Sequence, residues 1–147
     1  MRSPTVMKAP VPARAARSPV WAGSAYFAWV FALGFALGTA RTLLVQEAPG
    51  SGRLLGVLIE LPIMLWASWL LCGFVVRRFA VAPAFAPRAA MGGVAFALLL
   101  LAEWLVGALL FGRTPGEHFR LYAEPSYALG LAAQLAFAAM PLLQRRR

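Results

Sequence analysis

Four long apolar stretches constrain this chain more than any other feature of its sequence. Each holds about 20 residues or more, and a helix of that length, rising 1.5 Å per residue, crosses the roughly 30 Å hydrocarbon core of a bilayer. A segment in lipid must satisfy its own backbone hydrogen bonds, and a helix does so within one segment. The sequence therefore predicts an all-α integral membrane four-helix bundle, with spans at about 20–45, 54–76, 89–111 and 126–143.

Composition agrees with a membrane protein and leaves no room for a large soluble part. The chain is 61% hydrophobic and 13% charged, whereas soluble domains are about 25% charged. The region that holds the spans, 20–144, takes up most of the 147 residues, so we expect no separate soluble domain. The absence of Asp and Asn, with one Lys beside 13 Arg, is typical of GC-rich bacterial genomes and favours a multi-pass protein of the bacterial inner membrane.

The basic residues fall mainly on one side of the predicted membrane. Ten lie in the leader 1–19, the second loop 77–88 and the tail 145–147, against four near the opposite ends of the spans. The positive-inside rule then predicts that both termini are cytoplasmic, an N-in/C-in topology. The leader is rich in proline and basic residues, and we predict that it is disordered. Its charges suit anionic lipids at the cytoplasmic face. They lack the interleaved aromatic residues of a nucleic-acid surface, so we expect no nucleic-acid partner.

Three ionisable side chains lie within the predicted spans, where such groups are costly and usually face a partner or a wet cavity. They are Arg41, Glu60 and Glu103. At 1.5 Å per residue they lie roughly 6, 9 and 12 Å below the same outer surface, so they can meet. Gln134, near the middle of the fourth span, adds an amide to this predicted intramembrane polar cluster.

One arginine can fully neutralise only one of these two carboxylates. We predict that Arg41 pairs with Glu60 between the first two spans, and that Glu103 is the proton-exchanging group if the protein transports anything. Two interpretations stay open. The buried charges could specify helix packing alone, or they could form a site for transport or ligand binding.

Three residues are predicted to shape the contacts between helices. Gly34 and Gly38 form a GxxxG pair, which allows two helices to approach closely. Pro62 follows Glu60 closely and has no N–H to donate within the second span, so we expect a kink there.

Other chemistry is weakly represented. His118 is the only histidine, so one chain has no multi-histidine metal site, and we predict a solvated loop residue. Its loop, 112–125, carries mixed charges and aromatic residues that suit a short helix at the interface. The spans hold no nucleophile, base and acid set, and no glycine-rich phosphate loop is present. We therefore expect no metal, no cofactor and no enzymatic activity.

The stretches 34–41 (GFALGTAR) and 60–69 (ELPIMLWASW) resemble a pattern in small, uncharacterised four-span inner-membrane proteins of proteobacteria. The resemblance covers about the first half of the chain and extends to the rest mainly in hydropathy. It implies the four-span fold and the inner-membrane location, and it brings no activity with it.

Two functions of different classes follow from these features. The first is a structural or accessory inner-membrane component that associates with its own copies or with another membrane protein. The second is a small oligomeric proton-coupled transporter, since four short helices leave little room for a gated path within one chain. A pocket lined by polar groups at the buried charges would favour the transporter, and a dry contact would favour the structural component.

Overall fold

Four helices long enough to cross a membrane make up most of the structure. A computed structural model describes residues 18–44 and 51–144, with side chains described for 18–40 and 55–144. The predicted leader and tail lie outside these residues, apart from Ser18 and Pro19. All of the helices except the short fourth one are long and apolar enough to span a bilayer, which is compatible with a multi-pass membrane protein. The helices are α1 (Pro19–Leu44), α2 (Ser51–Arg78), α3 (Phe85–Phe111), α4 (Pro115–Leu121) and α5 (Pro125–Leu143).

Helix α3 begins at Phe85, four residues before the start that hydropathy predicts for the third span. Pro87 falls within the predicted loop 77–88, but in the structure it lies in the first turn of α3. Backbone N–H groups in a first turn have no acceptor within the helix, so a proline there loses nothing. Consequently Arg88, counted above among the loop arginines, lies inside α3.

The four long helices contact one another in a closed circuit. Helix α1 packs against α2 and α3, and helix α5 packs against the same two helices. Helix α4 packs against α3, which ends just before α4 begins. We call the region where α3 ends, α4 lies and α5 begins the α4 end, and we call the opposite end of the helices the Arg88 end.

Buried apolar side chains concentrate towards the Arg88 end. They come from the beginnings of α1 and α3, from the ends of α2 and α5, and from the loop after α2. Fewer of the described side chains, which cover 18–40 and 55–144, are buried towards the α4 end. The core of the described residues consists of Ala22, Tyr26, Val30, Cys72, Val75, Val76, Val81, Met91, Ala95, Phe137 and Met140.

Glycines allow the closest approaches between helices. A Cβ added at Gly23 of α1 would lie 2.6 Å from the backbone oxygen of Met91 and 2.9 Å from Val94 Cβ, both on α3. A Cβ added at Gly92 of α3 would overlap the backbone oxygen of Ala138 on α5. Small residues are typical of helix crossings in membranes, where close packing joins the helices. Helix α3 therefore approaches both α1 and α5 through positions that have no side chain.

Two side chains from other helices complete the hydrogen bonds near the C-terminus of α5. Pro141 lies inside α5 and has no N–H, so the carbonyl of Phe137 loses its helical donor. The Tyr26 hydroxyl donates to that carbonyl over 3.4 Å, and the Tyr26 and Phe137 rings stack with centroids 4.3 Å apart. Arg88 Nη1 donates to the backbone oxygens of Pro141 and Gln144 at 2.8 and 2.9 Å. The stacked rings thus fill the Arg88 end, and its carbonyls accept hydrogen bonds from Tyr26 and Arg88.

Large apolar side chains cover the outside of the long helices. Ile59, Trp66 and Leu109 are 69%, 67% and 78% exposed. Soluble proteins rarely expose wide apolar patches, and such patches mark protein or membrane contacts. The exterior of the helices therefore has the chemistry expected of a surface that faces lipid.

Candidate functional site

The polar pair at the centre of the candidate site joins Glu103 on α3 to Gln134 on α5. Gln134 Nε2 donates a hydrogen bond to Glu103 Oε1, with 2.5 Å between the two atoms. Glu103 precedes the end of α3 at Phe111 by a distance of about 12 Å at 1.5 Å per residue. The pair therefore lies well inside the spans, where a polar side chain needs a partner or a wet cavity.

A partly open cavity of about 130 Å³ lies beside this pair at the α4 end. Helix α5 lines it with Tyr127, Gly130, Leu131 and Gln134, a spacing of i, i+3, i+4 and i+7 that keeps all four on one helix face. Apart from its chain neighbours and the nearby backbone of its own helix, no described atom lies within 4 Å of the position that a Cβ would take at Gly130, so this glycine borders open space. The remaining lining residues are Val57, Glu103, Tyr122 and Ser126.

Helix α4 is anchored at its start by a capping box. The Thr114 hydroxyl accepts from the backbone N–H of Glu117, and the Glu117 carboxylate accepts from the backbone N–H of Thr114 at 2.8 Å. This backbone hydrogen bond, with a second from the Thr114 hydroxyl, lowers the pKa of the exposed Glu117. A lowered pKa means that the carboxylate stabilises the helix start at neutral pH, and that this contribution is lost as the pH falls through the lowered pKa.

The prediction that His118 is a solvated loop residue is wrong. It lies on α4 and is only 9% exposed, with Nδ1 3.0 Å from the position that a Cβ would take at Gly107 of α3. The missing side chain of Gly107 makes the space that the imidazole occupies. The His118 ring lies edge-on to Tyr122, with centroids 5.7 Å apart. His118 therefore docks α4 on α3 and supports Tyr122 at the cavity wall.

An arginine contacts the wall of the cavity from outside it. Arg113 Nη1 donates to the Tyr127 hydroxyl over 3.4 Å, and the guanidinium lies 4.8 Å from the centroid of the Phe111 ring.

Burial raises the pKa of Tyr122, and the charge of Glu103 adds to the increase, so Tyr122 stays a neutral hydroxyl. The site thus combines an acid inside the cavity, two tyrosines in its wall and a cation against that wall.

The structure joins two members of the predicted polar cluster, Glu103 and Gln134. The side chain of Arg41 lies outside the described residues, so its pairing with Glu60 stays a prediction. Glu60 is half-buried on α2 and follows Val57, which lines the cavity, by about one helical turn.

Of the residues predicted to shape helix packing, Gly34 contacts a neighbouring helix. A Cβ there would lie 3.1 Å from Met64 Cε on α2, so a larger residue fits only if the flexible end of the Met64 side chain moves. A Cβ at Gly38 would meet no described atom within 4 Å. Pro62 is exposed, and α2 continues through it as a helix.

Sequence reasoning missed most of the cavity wall. Ser126 and Gly130 precede Gln134 at intervals of four, so a small and polar stripe along the fourth span could have indicated the cavity. Tyr122 lies at the end of the short helix that His118 joins to α3, and no local pattern reveals that contact. The other functional or packing residues that were missed are Gly23, Arg88, Gly92, Gly107 and Tyr127.

The predicted pairing of Arg41 with Glu60 is expected to appear as coupled stability. Arg41→Leu should destabilise the protein more than Arg41→Leu/Glu60→Leu, because the single change leaves a carboxylate in hydrocarbon without its cation. The cost of the single change is on the order of a few kcal/mol, reduced by snorkelling and local water. Thermal unfolding in detergent measures both variants, and equal unfolding temperatures would show that the two residues are not coupled.

Among the side chains that the structure describes, no group of three or more His, Cys, Asp or Glu could hold a metal ion. Comparisons with protein-family models, curated proteins and solved structures find no match for the chain.

Proposed function

We propose that the protein is a small membrane carrier that admits a polar solute from the outer side of the bacterial inner membrane. The four spans form a bundle with both termini in the cytoplasm, so the α4 end faces the periplasm. The observation that carries the proposal is the partly open cavity that reaches Glu103. An acid at this depth, next to a cavity, is where a solute and a proton can exchange, as a proton-coupled transporter requires.

Gln134 suits Glu103 in either protonation state. Its Nε2 donates to the carboxylate, and its Oε1 is buried without a hydrogen-bond partner among the described residues. A half-turn of the amide exchanges these two atoms, so Oε1 can accept from a protonated Glu103. This supports a glutamate that holds a proton until a solute binds and then releases it to water in the cavity.

Transport across the whole membrane also needs a route past the Arg88 end. Tyr26, Met91 and Phe137 are buried in the core there, so a route requires movement of helices or a path between copies of the chain. We therefore include a homo-oligomer in the proposal, because helices that pack mainly through small residues can also pack between copies.

The packed Arg88 end favours a second candidate, a structural or accessory component that binds another membrane protein. For this function the cavity carries no solute, and Glu103 and Gln134 serve to position α3 against α5. Both candidates contact anionic lipids through basic residues at the cytoplasmic face, and neither involves nucleic acid or catalysis.

Gly130→Cys in a Cys72→Ala background tests whether water reaches the cavity. The new thiol would project into space that no described atom occupies within 4 Å of its Cβ. We expect a small, cationic, membrane-impermeant methanethiosulfonate reagent to label it in intact cells, because the cavity opens to the periplasm.

Ala136→Cys is the matched control, since it is exposed on the same helix away from the cavity-lining face. A thiol in lipid stays protonated and unreactive, so this position should remain unlabelled. No labelling of Gly130→Cys, or equal labelling of both positions, would refute an aqueous cavity and leave the accessory component. Labelling of Gly130→Cys only after permeabilisation would keep the cavity and reverse the topology.

A further inference from the structure

The geometry points to a small ammonium compound as the solute of this cavity, bound with its cationic group against Glu103. The inference rests on the proposed function and adds the chemical class of the ligand. An alkylammonium ion and the amino group of a small zwitterion share this chemistry.

The size of the cavity limits the ligand to a handful of non-hydrogen atoms. Its volume of about 130 Å³ is close to the roughly 150 Å³ of a cavity that holds one benzene molecule. A solute that extends towards the aromatic side of the cavity would have to displace Tyr122 or Tyr127, and the Tyr122 ring packs edge-on against His118.

The charges of the described wall residues favour a cation. The eight described residues that line the cavity include one acid, Glu103, and no basic side chain. A carboxylate removed from bulk water needs an opposite charge or strong hydrogen bonds, and the amide of Gln134 supplies one hydrogen bond without a charge. An anionic solute would meet a like charge at short range once Glu103 is ionised, so it could not drive release of the proton.

The neutral wall residues also suit an ammonium group, which has three N–H donors and no acceptor. Oxygen acceptors are available on Glu103 and Ser126. Tyr122 and Tyr127 also line the cavity, and an aromatic ring attracts a cation that lies over its face. One carboxylate, one hydroxyl and two aromatic rings are a set that complements a single ammonium group.

Arg113 distinguishes the two kinds of ligand that carry an ammonium group, an alkylammonium ion and a small zwitterion. It contacts the cavity wall through the Tyr127 hydroxyl, and a guanidinium binds carboxylates with paired hydrogen bonds. A small zwitterion could therefore bind with its ammonium group at Glu103 and its carboxylate near Arg113. An alkylammonium ion would use Glu103 alone.

Protection of Gly130→Cys from the cationic reagent tests the inference on the purified protein in nanodiscs. Methylammonium, glycine and acetate are the probes, because they are of similar size and differ in charge. We expect methylammonium or glycine to slow labelling about tenfold at ten times its dissociation constant, since the free fraction of the site falls in that proportion. Acetate should leave the rate unchanged.

Substitutions at Glu103 and Arg113 assign the effect to particular groups. Glu103→Gln should abolish protection while labelling continues, and Glu103→Asp, which keeps the charge, should retain part of it. Arg113→Gln should weaken protection by glycine and leave protection by methylammonium intact if the ligand is a zwitterion. Should Glu103→Gln fail to fold, the ranking of the three probes on the Gly130→Cys protein still decides the question.

The outcomes of this experiment separate the inference from the proposed function. Labelling that no probe slows, or that acetate slows as much as methylammonium, overturns the ammonium ligand and leaves the aqueous cavity standing. Protection that survives Glu103→Gln overturns the assignment to this acid. Absence of labelling in the first place refutes the cavity itself.

Discussion

Gly92→Ala is expected to destabilise the protein, although alanine is the better helix former. A Cβ at this position would overlap the backbone oxygen of Ala138 and lie 3.2 Å from its carbonyl carbon. A backbone group, unlike the end of a side chain, moves only if α3 and α5 separate. Overpacking costs about 1–3 kcal/mol, and alanine regains up to about 1 kcal/mol of helix propensity. We expect a net loss of about 1–2 kcal/mol, and a larger one for Gly92→Val.

The neighbouring glycine provides the control. Gly93 is exposed on α3, and a Cβ there would meet no described atom within 4 Å. Gly93→Ala should therefore leave stability unchanged or raise it by up to about 1 kcal/mol. Thermal unfolding in detergent compares the two variants. The close crossing of α3 and α5 would be refuted if both substitutions shifted the unfolding temperature in the same direction and by the same amount.

The crossing at Gly92 also bears on the candidate site, because α3 carries Glu103 and α5 carries Gln134. Separation of the two helices at the Arg88 end would change how these side chains meet about three turns further along α3. Gly92→Ala should therefore weaken the protection of Gly130→Cys by an ammonium probe, whereas Gly93→Ala should not. A packing position far from the cavity would then influence binding through the spacing of the helices alone.

Hydropathy predicted the long helices because membrane spans carry their fold information locally. A span must be apolar over its whole length, so a simple reading of residue types found all four. The distance of Glu103 from the end of its helix could also be predicted, because each residue adds a fixed rise along the helix axis. Its hydrogen bond to Gln134 depends on how α3 and α5 are rotated about their axes. The sequence predicts only that both residues belong to one polar cluster.

The features that could not be predicted from the sequence depend on contacts between distant elements. His118 reads as a loop histidine, yet the space beside Gly107 allows it to pack on α3. Arg88 reads as one of several loop arginines that orient the protein. Pro87 looks like the end of a loop, and it is tolerated in a first helical turn. In each case the position of the residue depends on another element or on the helix terminus. The local sequence pattern does not indicate this dependence.

Arg88→Leu is expected to cost more stability than the loss of an exposed arginine. The side chain is 3% exposed and donates to the backbone oxygens of Ala82, Pro141 and Gln144 at 3.2, 2.8 and 2.9 Å. A buried carbonyl left without its donor costs about 1–3 kcal/mol, and a cation near the C-terminus of a helix contributes about 0.3–1 kcal/mol more. Because these contributions are not additive, we expect a total loss of about 3–5 kcal/mol.

Two further variants show how much of the expected loss of stability comes from the hydrogen bonds of Arg88. One keeps the charge without these hydrogen bonds, and the other removes an arginine at an exposed position. Arg88→Lys keeps the cation but lacks the planar fork that reaches several oxygens at once, so it should fall between the wild type and Arg88→Leu. Arg78→Leu removes an exposed arginine at the end of α2 and should change stability by less than about 1 kcal/mol. Thermal unfolding in detergent ranks the four proteins. If Arg88→Leu unfolds with Arg78→Leu, the guanidinium does not hold the end of α5, and the stability of the Arg88 end comes from its packed rings and glycine crossings.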